Sequence, residues 1–316
     1  MPFRLHPSFS ARTWGRRDLK PWYPDSAERD AQFAEPIGEA WLTGPQSLVN
    51  DGPFAGKTLS QVAAAEPEAL LGSHSPEGEF PLLIKLLFPD AKLSVQVHPN
   101  DDEARARGLG RGKTECWYIL EAQPGATVAC GLKPGVTTDA LHAAILDGTA
   151  EDLLQQIPVT GGDMVFVDAG TVHAIGPGVT ILEIQQTSDT TYRLYDYGRP
   201  RELHVQQGLD VTKTETNAGK VPPTPITVEG KPATRLITEQ YFTVDRMTLE
   251  IGDAIALDNP GGEPFCLTAI RGDAEVAVAG GVLIQMPASS SVIVPATTDR
   301  VTVRAVSAME LFRMTP

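Results

Sequence analysis

Cysteine is scarce in this sequence, and its placement excludes a disulfide framework. The three cysteines, Cys116, Cys130 and Cys266, are odd in number and widely separated, and no CxxC pair occurs. Small disulfide-stabilised proteins carry an even set of closely spaced cysteines, whereas isolated cysteines are usual where thiols stay reduced. The cysteine content therefore predicts a reducing, cytoplasmic setting.

Long apolar runs and an excess of positive charge are also missing. The run from Phe80 to Phe88 is interrupted by Lys85 and is too short to span a bilayer. The first residues, MPFRLHPSFSARTWGRR, lack the apolar segment of a secretory signal. The formal net charge of −14 argues against nucleic acid or membrane as a partner, since both attract clustered positive charge. A small phosphorylated substrate needs only a few local cations, and the sequence predicts no particular oligomeric state.

Short strand-like runs separated by Gly, Pro and Asp turns dominate what is present, and they predict a mainly β protein. A length of 316 residues favours two domains. We place the first domain at residues 1–216 and a second, all-β domain at 221–316, with NAGKVPPTP at 217–225 as the linker. All six histidines lie at or before His204, so the second domain offers no imidazole to a metal.

Two segments have helical periodicity. Apolar residues recur at helical spacing over Thr58–Leu71, with Thr58 as the predicted N-cap. The second segment covers about residues 136–157. There Thr138 is the predicted cap of one short helix, and Ala150–Ile157 is predicted as a second amphipathic piece.

Four potential metal ligands occur in strand-like segments: Gln96, His98, Glu115 and His173. Gln96 and His98 are two residues apart, so in a strand both point to the same face. Two imidazoles, a carboxylate and an amide oxygen suit a borderline divalent ion such as zinc, with room for water or substrate. A single histidine is more often a hydrogen-bonded structural residue than a ligand. The convergence of all four would make the chain a metalloenzyme.

The frames around two of these residues resemble the cupin motifs. The segment from Gly162 to His173 resembles the second cupin motif, with Asp168 where Pro is usual. The first motif is recognisable but altered, with Gln96 in place of its first His and a longer insertion before Glu115. The resemblance implies an antiparallel β-barrel of the jelly-roll type around one metal. The small helical segment would be an insertion, and the C-terminal domain a second, metal-free, cupin-like β-barrel or sandwich.

Several longer motifs, in order along residues 10–210, closely resemble the type I mannose-6-phosphate isomerases in their short bacterial form. They are IGEAWLTG (37–44), LSVQVHPND (93–101), GKTECWYIL (112–120), AGTVHAIGPG (169–178), EIQQTSDTTYRLYDYGR (183–199) and RELH (201–204). The resemblance implies that Gln96, His98, Glu115 and His173 bind one Zn²⁺ per chain. It also implies interconversion of mannose 6-phosphate and fructose 6-phosphate through a cis-enediol.

Arg193 and Lys113 are the expected catalytic and substrate-binding residues. Arg193 matches the family's proposed active-site arginine. A guanidinium is a poor base, so we expect it to act by charge and position. The alternative is a surface ion pair with Asp189 or Asp196. Lys113 would neutralise phosphate or the enediolate, and the alternative is a solvated loop lysine.

Other polar residues near these motifs receive weaker assignments. Arg199 and Arg201 are further phosphate candidates that the sequence does not rank. Lys85 lies within an apolar run, and we expect it to extend toward solvent rather than to be paired near the site. The alternating tyrosines at 192, 195 and 197 are expected to serve packing.

Two other functions use the same residues. One is a cupin oxygenase with Fe(II), which the neutral Gln96 disfavours because it departs from the usual facial triad. The other is a non-catalytic protein that binds sugars or regulates. Oxygen consumption would support the first, and saccharide binding without isomerisation would support the second.

Overall fold

The computed structural model describes residues 1–24, 35–278, 280–281 and 283–316, and strands make up most of its regular structure. The mainly β fold class predicted from the sequence is confirmed. In chain order the strands are β1 (Phe3–Leu5), β2 (Ser8–Arg16), β3 (Ile37–Trp41), β4 (Leu82–Leu87), β5 (Val95–Val97), β6 (Glu115–Ala122), β7 (Thr127–Leu132), β8 (Leu154–Pro158), β9 (Met164–Val167), β10 (His173–Ile175), β11 (Val179–Gln186), β12 (Tyr192–Tyr195), β13 (Gly219–Val221), β14 (Thr224–Val228), β15 (Lys231–Thr238), β16 (Thr243–Leu249), β17 (Ala254–Asp258), β18 (Phe265–Arg271), β19 (Ala274–Ala277), β20 (Ile284–Met286), β21 (Ser290–Val294), β22 (Arg300–Ala305) and β23 (Met309–Thr315).

The helices are short and lie between strands. They are α1 (Leu59–Ala65), α2 (Pro67–Leu71), α3 (Asp101–Ala106), α4 (Thr138–Asp147) and α5 (Val205–Val211), with short 3₁₀-helices at Gly52–Phe54, Gly72–Glu77 and Ala150–Leu153. Thr58 caps α1 as predicted, because its hydroxyl accepts a hydrogen bond from the Gln61 amide and the Gln61 side chain accepts one from the Thr58 amide. None of the helices in the described ranges combines the length and apolarity that a membrane crossing requires.

Two local predictions in the helical segments were wrong. The cap of α4 is Thr137 rather than Thr138, because Thr137 is extended and its hydroxyl accepts from the Ala140 amide at 3.1 Å. Residues 150–157 are not an amphipathic helix, because β8 pairs with the free edge of β7 there. Within the 217–225 segment β13 pairs with β9 and β14 begins, and the role of this segment as a linker stays a prediction.

The strands form four antiparallel sheets, two in each part of the chain. In the first part a seven-stranded sheet (β13-β9-β6-β11-β4-β3-β2) and a five-stranded sheet (β12-β5-β10-β7-β8) share a buried apolar core. Trp117, Ile119 and Ile181 of the larger sheet and Val128 and Ile175 of the smaller contribute to it. Closure of these two sheets into a barrel stays a prediction.

The second part of the chain packs a seven-stranded sheet on a four-stranded one (β17-β22-β19-β20) around its own apolar core. The proposed division near residues 216–221 stays a prediction. The structure adds that β1, at the start of the chain, pairs with β21 and so belongs to the C-terminal sheet. A further apolar cluster joins the two parts and includes Cys116 and Ile184 from the first and Phe312 and Met314 from the second.

Candidate metal centre and substrate cleft

The site forms where polar residues interrupt the apolar inner faces of the two facing sheets. Along β6, Trp117 and Ile119 belong to the core between the sheets, so Glu115, two residues before Trp117, occupies the same face at the start of the strand. On β5, Val95 and Val97 pack in the outer cluster, and Gln96 therefore points to the opposite face. The two-residue alternation predicted around Gln96 and His98 is what the backbone adopts.

Three of the four predicted ligands converge into one buried cluster. The ligand atoms of His98, Glu115 and His173 all lie within 4.8 Å of one another. His98 Nε2 is 3.6 Å from Glu115 Oε2, and His173 Nε2 is 3.4 Å from Glu115 Oε1. All three side chains are almost wholly inaccessible to solvent. Both imidazoles thus present the same nitrogen, Nε2, to the same carboxylate.

Hydrogen bonds from the Nδ1 atoms of His98 and His173 to backbone carbonyls orient both imidazoles. His98 Nδ1 lies 2.8 Å from the Thr190 carbonyl oxygen, and His173 Nδ1 lies 2.9 Å from that of Thr171. A carbonyl only accepts, so each Nδ1 carries the proton and donates it, which leaves the lone pair of each Nε2 directed at the cluster. Burial, with Lys113 and His173 nearby, holds the pKa of His98 well below its usual range. The neutral imidazole is the form that binds metals.

The fourth predicted ligand, Gln96, lies beside this cluster. It lies opposite His173 in the β5–β10 pairing, and its Nε2 is 3.1 Å from His173 Nε2. Its Oε1 accepts from the Ser94 hydroxyl at 3.4 Å. The amide is therefore beside the cluster, and its oxygen reaches the same space if the amide rotates about its terminal bond. Its role as a ligand stays a prediction.

Lys113 is buried in the site rather than solvated in a loop. Its Nζ lies 2.9 Å from Glu115 Oε2 and 3.1 Å from His98 Nε2. Burial alone would lower the pKa of its ammonium, but Glu115 and Glu183 outweigh that and hold the pKa above its ordinary value. The preceding Gly112 permits this close packing, because a Cβ there would lie 2.5 Å from the backbone carbon of Asn100.

The expectation that Lys85 extends to solvent was wrong. The side chain is 4% exposed, and its Nζ lies 3.5 Å from Glu183 Oε2 and 4.6 Å from the centre of the Trp41 ring. Lys85 and Glu183 are direct partners in the β4–β11 pairing, on the inner face of the sheet. The two opposite charges are buried side by side, so each compensates part of the hydration free energy that the other loses on burial.

Arg193 lies on β12 opposite Gln96 in the β5–β12 pairing. Its Nη1 donates to the Glu202 carbonyl at 2.8 Å, and its Nε is buried without a hydrogen-bond partner among the described residues. The structure records no ion pair of Arg193 with Asp189 or Asp196 within its described residues, so the surface ion-pair alternative is wrong. The tyrosines at 192, 195 and 197 pack in the cluster outside β5, as expected.

An open cleft of about 450 Å³ lies beside the cluster of His98, Glu115 and His173, called the metal-type cluster below, because the cluster's neighbours Gln96 and Lys113 form part of the cleft wall. Gln96, Lys113, Lys85 and Arg193 all line it. Glu183 and Glu39 also line it, and the sequence reasoning missed both. Glu183 could have been found from the sequence, because its carboxylate interrupts the apolar residues of β11. Glu39 could not, because its partner Arg12 is distant in sequence.

The donor set of the cluster fits a divalent metal ion. Metal bonds to N and O of about 2.0–2.1 Å in a tetrahedron place neighbouring ligand atoms about 3.3–3.4 Å apart. Each histidine Nε2 lies at a comparable separation from a different oxygen of Glu115, 3.4 Å for His173 and 3.6 Å for His98. The hydrogen bonds from each Nδ1 to a carbonyl are the outer contacts that orient metal-binding histidines in proteins. Glu115 would supply the negative charge, and its pKa is held below the usual value because Lys113 and His173 outweigh its burial.

Comparison with known proteins gives one consistent result. The family model for the catalytic domain of type I phosphomannose isomerases matches residues 2–128. The chain is 36% identical over 309 residues to the probable mannose-6-phosphate isomerase GmuF of Bacillus subtilis, covering 93% of each chain. It is also 36% identical to the mannose-6-phosphate isomerase ManA of the same organism, over 82% of this chain and 83% of the relative. The crystal structure of a mannose 6-phosphate isomerase from B. subtilis superposes with a TM-score of 0.84 at 28% identity, covering 99% of each chain.

Proposed function

We propose that this chain, which belongs to the family of type I phosphomannose isomerases, is a zinc-dependent aldose–ketose isomerase that interconverts mannose 6-phosphate and fructose 6-phosphate. The observation that carries the zinc dependence is the buried arrangement of His98, Glu115 and His173, with both Nε2 atoms facing one carboxylate. Gln96 is proposed as the fourth ligand. The three buried free cysteines suit a reducing, cytoplasmic location.

Zinc held by these residues would act as a Lewis acid that polarises the substrate carbonyl without redox change. Net chemistry is transfer of one proton between C1 and C2, with the carbonyl moving in the opposite direction and no atom gained or lost. The cis-enediol is the intermediate. Developing negative charge on the substrate oxygens is therefore what the surrounding residues must stabilise.

Lys113 supplies that charge stabilisation. Because Glu115 and Glu183 hold its pKa above the ordinary value, it is an ammonium at neutral pH and donates rather than accepts protons. Arg193, which lines the same cleft and pairs with Gln96 across β5 and β12, provides a second fixed positive charge for binding and positioning the substrate. A guanidinium is a poor base, so its contribution is electrostatic.

The test pairs a metal analysis with an isomerase assay, comparing mannose 6-phosphate with free mannose. We expect about one zinc per chain, turnover that disappears with a chelator and returns with zinc, and preference for the phosphorylated sugar. Full turnover by metal-free protein would contradict zinc dependence. Oxygen consumption by iron-loaded protein, or saccharide binding by zinc-loaded protein without isomerisation, would replace the proposal with an oxygenase or a binding protein.

A further inference from the structure

The cleft gathers cationic side chains in an acidic protein. Among the described residues, five cationic side chains line it (Arg12, Lys85, Lys113, Arg193 and Arg201) beside four acidic ones (Glu35, Glu39, Glu183 and Asp189), whereas the whole chain carries −14. Cationic side chains gathered in a cleft of an otherwise negative protein favour the binding of an anion there. The next question is which of the five cations is available to bind one.

Three of the five are each paired with a carboxylate of the site. Arg12 donates to both oxygens of Glu39 at 3.2 and 3.1 Å. The ammonium groups of Lys85 and Lys113 lie 3.5 Å from Glu183 and 2.9 Å from Glu115. Each of these three cations has a carboxylate partner in the site. Arg193 has no recorded ion pair among the described residues, and Arg201 shares its carboxylate with Arg199, so these two arginines remain.

Arg201 is held by a single buried carboxylate. Its Nε and Nη2 donate to the two oxygens of Asp196 at 2.6 and 2.7 Å, and Asp196 itself is 2% exposed. This bidentate pair occupies one edge of the guanidinium and fixes its plane. Within the described residues, Nη1 and the second N–H of Nη2 have no recorded partner, and the side chain is 28% exposed at the cleft.

Charge around Asp196 is unbalanced in favour of the cations. Asp196 also pairs with Arg199 at 2.7 Å, so one carboxylate serves two guanidinium groups while Arg193 stands nearby. Burial first, and then the positive charge of Arg201, lower the pKa of Arg193. A bound dianion would relieve this repulsion.

We infer that Arg201, held in position by Asp196, binds the phosphate group of the substrate together with Arg193 and so determines the preference for the phosphorylated sugar. The inference rests on the proposed function for the identity of the substrate. Its geometric basis is independent: two guanidinium groups, each with N–H donors that have no recorded partner among the described residues, line the same cleft as Gln96 and Lys113, the neighbours of the metal-type cluster. Planar donors held at a fixed angle are what bidentate recognition of phosphate requires.

The sequence left Arg199 and Arg201 unranked as phosphate candidates, and only Arg201 lines the cleft. Arg199 is therefore the matched control, because it shares Asp196 without lining the cleft. Its Nη2 donates to the Lys92 carbonyl at 2.8 Å, its Nε donates to the Asp196 carbonyl at 3.2 Å, and its guanidinium lies 5.6 Å from the Tyr197 ring centre. The Nε and Nη2 donors of Arg199 are thus directed to groups of the protein that lie outside the cleft lining. Its removal changes the net charge by the same amount as removal of Arg201, without changing the wall of the cleft.

The experiment uses the zinc-loaded full chain and measures binding of inorganic phosphate by calorimetry alongside steady-state kinetics. For Arg201→Ala we expect KM for mannose 6-phosphate and Kd for inorganic phosphate both to rise about tenfold or more, with kcat changed less than about threefold. Arg201→Lys should recover only part of the loss, since an ammonium cannot keep the bidentate pair with Asp196. Arg199→Ala should stay within about twofold of the parent protein.

Two results separate failure of the subsite from failure of the function. If Arg201→Ala binds inorganic phosphate as tightly as the parent, or if Arg199→Ala loses as much as Arg201→Ala, the subsite assignment is wrong although isomerisation stands. If the parent protein does not isomerise mannose 6-phosphate while its phosphate binding still depends on Arg201, the proposed function is wrong, and with it the identity of the substrate in this inference.

Discussion

The ammonium of Lys113 lies 2.9 Å from Glu115 Oε2, two residues further along the chain. Lys113 lies in the segment that leads into β6, which begins at Glu115, so the ammonium enters the metal-type cluster just before the strand. Its Nζ is also 3.1 Å from His98 Nε2. A fixed positive charge therefore stands beside the residues proposed to hold zinc, where substrate oxygens would develop negative charge.

Replacing Lys113 by Met should separate chemistry from metal binding. The variant keeps His98, Glu115 and His173 and loses a cation that competes with zinc for them, so zinc content should stay near one per chain. Turnover of mannose 6-phosphate should fall about 100-fold because the enediolate loses its charge partner. Metal analysis and steady-state kinetics check this. Lys133→Met, which removes an exposed lysine bonded to the Asp152 carbonyl, is the control and should behave as the parent.

Replacing the proposed ligands should affect zinc to different degrees. His98→Ala and His173→Ala should each lose bound zinc and activity together, while circular dichroism and the unfolding transition remain those of a folded protein. Gln96→Ala should weaken zinc binding less than either, because a neutral amide oxygen is the poorest ligand of the set. If Gln96→Ala has the zinc affinity of the parent, the site has three protein ligands rather than four.

The approach of the two histidines was predictable from the sequence, and the reasons are local. Gln96 and His98 alternate with Val95 and Val97, and a period of two fixes which face each residue takes. His173 follows a glycine turn that starts a new strand. The roles of these residues, by contrast, came from the resemblance to a family, since spacing alone does not name a metal or a substrate.

Cap positions were less predictable, because moving a helix start by one residue hardly changes how well the apolar spacing of the sequence fits a helix. Thr137 and Thr138 are adjacent and equally plausible as caps, and only the backbone distinguishes them. Thr137 is extended, and its hydroxyl accepts from the Ala140 amide, while Thr138 is already helical. Likewise, the strand at Leu154–Pro158 forms because an edge of β7 is available to it, which no local pattern reveals.

The cap assignment predicts unequal effects of two neighbouring substitutions. Thr137→Ala should lower the free energy of unfolding by about 1 kcal/mol, since the Ala140 amide loses its acceptor. Thr138→Ala removes no cap and should change the free energy of unfolding by less than about 0.5 kcal/mol. Urea unfolding followed by circular dichroism measures both. Equal effects, or a larger effect at Thr138, would contradict the assignment.

The pairing of Lys85 with Glu183 was not predictable because it depends on the register of β4 with β11. In the sequence, Lys85 is one charge within an apolar run, and the carboxylate that satisfies it lies almost one hundred residues away. Snorkelling is the usual resolution for such a lysine. Because the register of β4 with β11 places the opposite charges of Lys85 and Glu183 side by side, Lys85 does not have to reach solvent.

This pairing predicts a stability defect with a defined pH dependence. Lys85→Met leaves Glu183 buried without its nearest cation and should lower the free energy of unfolding by about 3–5 kcal/mol at neutral pH. The double variant, Lys85→Met with Glu183→Met, should recover most of that free energy. Burial raises the pKa of Glu183, and loss of Lys85, which lowers it, raises that pKa further. Above the pKa of the unfolded chain, the folded variant then binds more protons than the unfolded one, so its stability falls as pH rises. Urea unfolding at about pH 5 and about pH 8 should show a larger loss of unfolding free energy for Lys85→Met at the higher pH. The double variant should lack this difference. A loss of unfolding free energy that is independent of pH would mean that Glu183 stays ionised without Lys85.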